Sequence, residues 1–215
     1  MLSVEGYTIG MVQTNVWIIG KEKTGPCIVC DPADYGEELF RKLSDEGKRV
    51  DAILLTHGHY DHILGVEGMR RLSKAAVVAS TSEEGFLLDP HANLSADTGR
   101  PCTVRADRYL RDGEHFSAAG LAITCIHTPG HTEGSCCFLV REEGQEGDEG
   151  SVLLAGDTLF YESVGRTDLP TGSTSALIRS IKEKRLCLPD ACEVLPGHGP
   201  ATTIGHEKEH NYFLG

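Results

Sequence analysis

Short apolar runs, separated by polar stretches rich in glycine and proline, divide the chain into two halves of similar grammar. In the first half they predict strands near Asn15–Ile19, Cys27–Cys30, Ala52–Leu55 and Ala75–Ala79, with helices over Glu37–Glu46 and near His62–Ser73. The stretch Ser82–Gly113, interrupted by Pro90, Gly99 and Pro101, reads as short helix and loop. The second half predicts strands at Leu121–His127, Cys136–Val140, Val152–Leu154 and Cys192–Leu195, and a helix at Thr174–Leu186. Strand-rich halves with flanking helices place the chain in the α/β class. Covering the outer faces of two sheets with helices buries every apolar face, which gives a four-layer αββα sandwich. Periodicity by itself does not choose this arrangement over other α/β folds.

At 215 residues the chain is long enough for one compact unit with a substantial core, and 40% hydrophobic with 24% charged residues is an ordinary globular balance. The 25 glycines predict many tight turns. A net charge of −12 repels a phosphate backbone, so a nucleic-acid partner is not expected. No apolar run approaches the roughly 18 to 20 residues that cross a bilayer, and the opening Met1-Leu2-Ser3-Val4-Glu5-Gly6 lacks the basic-then-apolar order of a signal peptide. The expectation is a cytoplasmic protein without a membrane partner; oligomeric state is not set by the sequence.

The eight cysteines belong to a chain that can build a core without disulfide staples, and reduced core cysteines are expected. Cys27 and Cys30 form a C-x-x-C, but within a strand an i, i+3 pair points to opposite faces, so this is not a redox turn. The acidic, glycine-rich stretch 142–150 reads as a solvated hairpin loop.

The strongest chemical signal is Thr56-His57-Gly58-His59-Tyr60-Asp61-His62, directly after the strand Ala52–Leu55. Extended backbone puts the imidazoles of His57 and His59 on one side, while Asp61 and His62, turning into a helix, address a neighbouring point; such donors suit first-row divalent metals. One segment cannot complete two coordination spheres. Three further candidates stand at predicted strand ends: His131 in Thr128-Pro129-Gly130-His131, Asp157 after Val152-Leu153-Leu154-Ala155-Gly156, and His198 in Leu195-Pro196-Gly197-His198. Active sites on α/β scaffolds gather where strands end.

With these residues in view the sequence resembles the metallo-β-lactamase superfamily, whose H-x-H-x-D-H motif is intact from His57 to His62, over nearly the whole chain from Asp31-Pro32 to Gly197–Gly205. The resemblance implies a single domain of that fold over residues 1–215. It assigns His57, His59 and His131 to a first metal, Asp61, His62 and His198 to a second, and Asp157 to a bridge between them. Asp31 is implied to orient a ligand histidine from behind, the alternative being a turn aspartate before Pro32. Within the superfamily, Gly156-Asp157-Thr158-Leu159-Phe160, Val164-Gly165-Arg166-Thr167-Asp168 and Gly197–Gly205 resemble glyoxalase II-like hydrolases without their C-terminal helical domain.

The implied cofactors are two divalent ions, zinc first, with iron or manganese as alternatives. The implied activity is hydrolysis of a small thioester, hydroxyacylglutathione-like, by a metal-generated hydroxide that Asp61 orients. Arg166 is expected to receive an acidic part of a small-molecule substrate; the competing reading pairs it with Asp168. Tyr60 is given no role, and His91, His115, His127, His206 and His210 are read as solvated or packed. Rival activities are a persulfide dioxygenase with a single iron, and a lactone or β-lactam hydrolase. An electron-transfer di-iron module is disfavoured, since it usually carries glutamate where this chain has His59.

Overall fold

The computed structural model describes residues 2–185 and 187–215. The first half supplies a six-stranded sheet in chain order: β1 (Ser3–Ile9), β2 (Thr14–Gly20), β3 (Gly25–Cys30), β4 (Lys48–Leu54), β5 (Ala76–Ser80) and β6 (Arg108–Leu110). The first three strands run antiparallel and β3 through β6 run parallel. Helices α1 (Gly36–Asp45), α2 (Tyr60–Ile63), α3 (Val66–Ser73) and α4 (Glu84–Leu87) lie in the connections. The second half supplies another six-stranded sheet from β7 (His115–Ala118), β8 (Leu121–His127), β9 (Cys136–Glu142) and β10 (Val152–Gly156), then β13 (Glu193–Pro196) and β14 (Thr202–Thr203). Between β10 and β13 come a small hairpin, β11 (Leu159–Phe160) with β12 (Ser163–Val164), and helix α5 (Thr174–Ser180); α6 (Ile204–His210) follows β14.

Alternation along the strands explains the layers. In β2 and β3, Val16, Ile18, Cys27 and Val29 point outward to Leu39 and Leu43 of α1 and Val66 and Met69 of α3. Ile19, Ile28 and Cys30 point inward and meet Cys136, Phe138, Val140 and Leu154 of the second sheet. From β9 and β10, Cys137, Leu139, Leu153 and Ala155 face outward onto Leu177 and Ile181 of the α5 region. Both faces of the central strands are buried, which is why they read as continuous apolar runs. The result is the expected αββα sandwich, and Cys27 and Cys30 fall in different layers as the strand reading requires. Cys187, by contrast, is exposed rather than in the core. No helix among the described residues is long and apolar enough to cross a membrane.

Several boundaries differ from expectation. The helix expected near His62–Ser73 is two helices, because Gly65 N–H bonds the Ala33 carbonyl at 2.7 Å instead of continuing the helical ladder. The helix expected at Thr174–Leu186 is α-helical to Ser180 and continues as a π-helical turn over Ile181–Arg185; Leu186 lies outside the described residues. Within Ser82–Gly113, β6 is a strand that the loop reading missed. The acidic stretch after Glu142 is the tip of the β9–β10 hairpin.

Candidate metal centre

The chain leaves β4 at Leu54, bends at Thr56 and is extended at His59 (φ −60°, ψ 143°), which stands at the N-terminal edge of α2. His57 and His59 therefore project from the loop between β4 and α2, and Asp61 and His62 from the first turn of α2. From the second sheet, His131 lies in the turn after β8, Asp157 follows β10 and His198 follows β13. Strands β10 and β13 are parallel neighbours, so Asp157 and His198 leave the same edge of the sheet.

These side chains meet. His131 Nε2 lies 3.2 Å from His57 Nε2 and 2.9 Å from His59 Nδ1, one candidate metal group. In another, Asp61 Oδ2 is 3.4 Å from His62 Nε2 and 3.4 Å from His198 Nε2. Asp157 touches both: Oδ2 is 3.5 Å from His131 Nε2 and 3.6 Å from His198 Nε2, and Oδ1 is 3.5 Å from His62 Nε2.

For three of the histidines the outer ring nitrogen is a hydrogen-bond donor, which turns the inner nitrogen toward the cluster. His131 Nδ1 donates to the Arg166 carbonyl at 2.8 Å and His62 Nδ1 donates to Asp31 Oδ2 at 3.0 Å, both acceptor-only partners. Thr56 Oγ1 gives its proton to Asp31 Oδ2 (2.6 Å) and so accepts from His57 Nδ1 (3.1 Å). Imidazole nitrogens and carboxylate oxygens thus converge within 3.6 Å of one another around two neighbouring points. His62 Nε2 and Asp157 Oδ1 are buried and have no hydrogen-bond partner among the described residues. That donor set fits divalent cations.

The local field agrees. Burial drives His57 well below its ordinary value and His59 down to about 3, so both imidazoles are neutral. For His62 burial acts in the same sense, but the Asp61, Asp157 and Asp31 carboxylates outweigh it and push the group up to about 10. His198 is likewise raised against its burial by Asp61 and Asp157. Burial works against ionised Asp61, yet His62 and His198 hold it well below the usual carboxylate range. A region this favourable to a proton on His62 is equally favourable to a dication.

Comparison with known proteins supplies what geometry cannot. Residues 9–198 match the metallo-β-lactamase superfamily. The chain belongs to the metallo-β-lactamase superfamily. It is 37% identical to the BLEG-1 B3 metallo-β-lactamase, whose crystal structure superposes with a TM-score of 0.88 and is covered to 99%, against 100% of this chain. It is also 33% identical to TTHA1623, solved in a di-iron-bound form (TM-score 0.82; 98% of this chain and 100% of that one). The hydroxyacylglutathione hydrolase GloC of Haemophilus influenzae is 31% identical over 99% of this chain and 98% of its own.

In this superfamily member the cluster is braced by Asp31, which the sequence reading named, and by Thr14, Asn15 and Trp17, which it did not. Asp31, in a left-handed conformation (φ 48°), accepts from Thr56 N–H at 2.8 Å in addition to its contacts with Thr56 Oγ1 and His62. Thr14 Oγ1 donates to Asp61 Oδ2 at 2.8 Å. Asn15 Nδ2 donates to the carbonyls of Pro196 (3.1 Å) and Gly199 (2.8 Å), and Trp17 Nε1 to Pro196 (2.8 Å), pinning the turn that carries His198. Gly197 is required there, since a Cβ would overlap Asp157 Oδ1. Thr14, Asn15 and Trp17 lie far from their partners in sequence, and no local motif marks them.

The centre opens into a cleft of about 260 Å³ lined by His59, Asp61, His131, Asp157, Arg166 and His198. A second cavity of about 320 Å³, bounded by Met11, Tyr35, Leu64 and Arg100, shares Val12, Tyr60 and Asp61 with it. Arg166 lines the cleft, but its guanidinium is engaged by both Asp168 oxygens at 2.7 and 2.8 Å, and the side chain is 62% exposed. His206 stacks on Tyr161 and contacts Glu162, and His127 meets the Glu133 carbonyl; neither joins the centre.

Proposed function

We propose that the chain is a dinuclear metal-dependent hydrolase of a small thioester, of the hydroxyacylglutathione type. His57, His59 and His131 hold one divalent ion, Asp61, His62 and His198 the other, and Asp157 bridges; zinc is the expected metal, with iron or manganese as alternatives. The supporting observation is the position of Asp157, whose two oxygens lie within 3.6 Å of ring nitrogens from both groups. When bound, such a pair of cations supplies Lewis acidity and brings a water to ionisation near neutral pH.

The chain's own residues provide the rest. Asp61, fixed by Thr14 Oγ1 at 2.8 Å, orients the nucleophilic water. Water adds to the thioester carbonyl carbon, the C–S bond breaks, and carboxylic acid and thiol leave. Asp31 keeps His62 in the tautomer that presents Nε2, and the Arg166 carbonyl does so for His131. The Arg166 guanidinium, exchanging Asp168 for substrate, receives a carboxylate of the thiol carrier, and the adjoining cavity at Leu64 and Tyr35 gives room for the remainder. The identity with GloC favours the thioester; identity with a B3 metallo-β-lactamase makes a β-lactam the second substrate class.

The test is purified protein analysed for bound metal and assayed on a thioester panel, a lactone and a β-lactam, with oxygen uptake followed on a persulfide. Two metals per chain and thioester turnover, both lost in Asp157→Ala, are expected. One iron per chain with oxygen consumption would replace this reading by the persulfide dioxygenase; turnover confined to a lactone or β-lactam would replace the substrate class.

A further inference from the structure

Glu83 is a carboxylate 1% exposed, set just after β5 and immediately before α4, outside the metal cluster. Its Oε1 accepts from the backbone N–H of Gly58 at 2.8 Å. Thr132 Oγ1 donates to both of its oxygens at 3.0 Å, and Gly134 N–H donates to the same carboxylate. Ser135 Oγ stands 2.6 Å from Thr132 Oγ1 and, because the Thr132 proton is committed to Glu83, supplies its own proton to Thr132. Burial pushes the Glu83 carboxyl up to about 7, and the hydrogen bonds from Gly58, Thr132 and Gly134 act against it; every one of these partners is a donor, so the carboxylate oxygens are wanted as acceptors. Gly134 is fitted to it, since a Cβ there would overlap Glu83 Oε2, while Gly58 is confined chiefly by Phe86 of the same helix region.

The partners are neighbours of ligands. Gly58 sits between His57 and His59 on the loop from the first sheet, and Thr132 follows His131 on the turn from the second. The first candidate metal group is therefore assembled from two sheets, and one buried side chain holds both contributing backbones. We propose that Glu83 is a positioning residue for the His57, His59 and His131 group, clamping the two ligand loops at the separation a shared metal needs. It is the counterpart of Asp31, which serves His62 from the opposite side. Losing it lets the loops relax apart and weakens metal binding at that group before it affects the Asp61, His62 and His198 group. This inference rests on the dinuclear reading above.

The test is titration of the metal-free full chain with Co²⁺, followed by its visible absorption, with His131→Ala and His198→Ala chains identifying which step belongs to which group. In Glu83→Gln the amide presents N–H to a backbone donor, and the first-group affinity is expected to fall by about 10- to 100-fold, the usual cost of a lost outer partner, with the second group little changed. Thr132→Val is expected to move the same step in the same direction, and Thr132→Ser, which keeps the hydroxyl, to restore it. These two variants decide the matter should Glu83→Gln fail to fold by circular dichroism. Unshifted steps, or equal weakening at both groups, would contradict the proposal and leave Glu83 a general stability residue. A wild-type chain that takes up no Co²⁺ would instead contradict the dinuclear reading and the proposal with it.

Discussion

Asp31 shows how much a single carboxylate does here: it terminates β3, satisfies Thr56 N–H and Oγ1, and fixes the proton on His62. Asparagine tolerates the left-handed backbone that Asp31 adopts, so Asp31→Asn isolates the charge and acceptor capacity from the fold. The expected result is about 10- to 100-fold weaker metal binding at the His62 group, measured by metal titration, with melting of the metal-free chain as the control for the fold. Arg166→Ala is expected to raise KM for carboxylate-bearing substrates about tenfold while leaving kcat near wild type, because an exposed ion pair adds little stability and the guanidinium is offered for recognition. An unchanged KM would return Arg166 to a purely structural pair with Asp168. The candidate ligand segment stood out because His57, His59, Asp61 and His62 crowd one stretch of chain. Glu83 was not, since its partners stand 25 and 49 residues away and a lone glutamate before a short helix carries no signal.

At the scale of elements, legibility followed burial. Strands β2, β3, β4, β9 and β10 are apolar on both faces and stood out as runs. Strand β1 is half-buried along Ser3–Ile9 and interrupts its apolar residues with Glu5 and Gly6, and β7 pairs only at the sheet edge, so neither produced a run. The break between α2 and α3 was hidden for a different reason: the acceptor that stops the ladder, the Ala33 carbonyl, comes from a distant turn. That turn is tightly packed, with a Cβ on Gly65 overlapping the Pro32 carbonyl and one on Gly36 overlapping Gly65 itself. Gly65→Ala is therefore expected to destabilise the protein by ~3 kcal/mol through overpacking against backbone, read from the denaturant midpoint at unchanged m-value. A midpoint within error of wild type would mean that α1 and α3 can separate freely.

For the whole molecule, the two sheets share one inner core, with Ile28 and Leu54 from the first packed among Phe138 and Leu154 from the second, and the ligands are contributed by both sheets. Metal bound at such a seam stabilises the folded state over the unfolded one by mass action. Chelation is accordingly expected to lower the melting temperature by several degrees while leaving a single cooperative transition; two separated transitions would show that the halves fold independently. The central claim is that seven side chains from both halves hold a pair of cations. Anomalous diffraction from crystals of the zinc-loaded protein tests it most directly. The account predicts two zinc peaks, one among His57, His59 and His131 and one among Asp61, His62 and His198, each in contact with Asp157; a single peak, or peaks away from these residues, would contradict it.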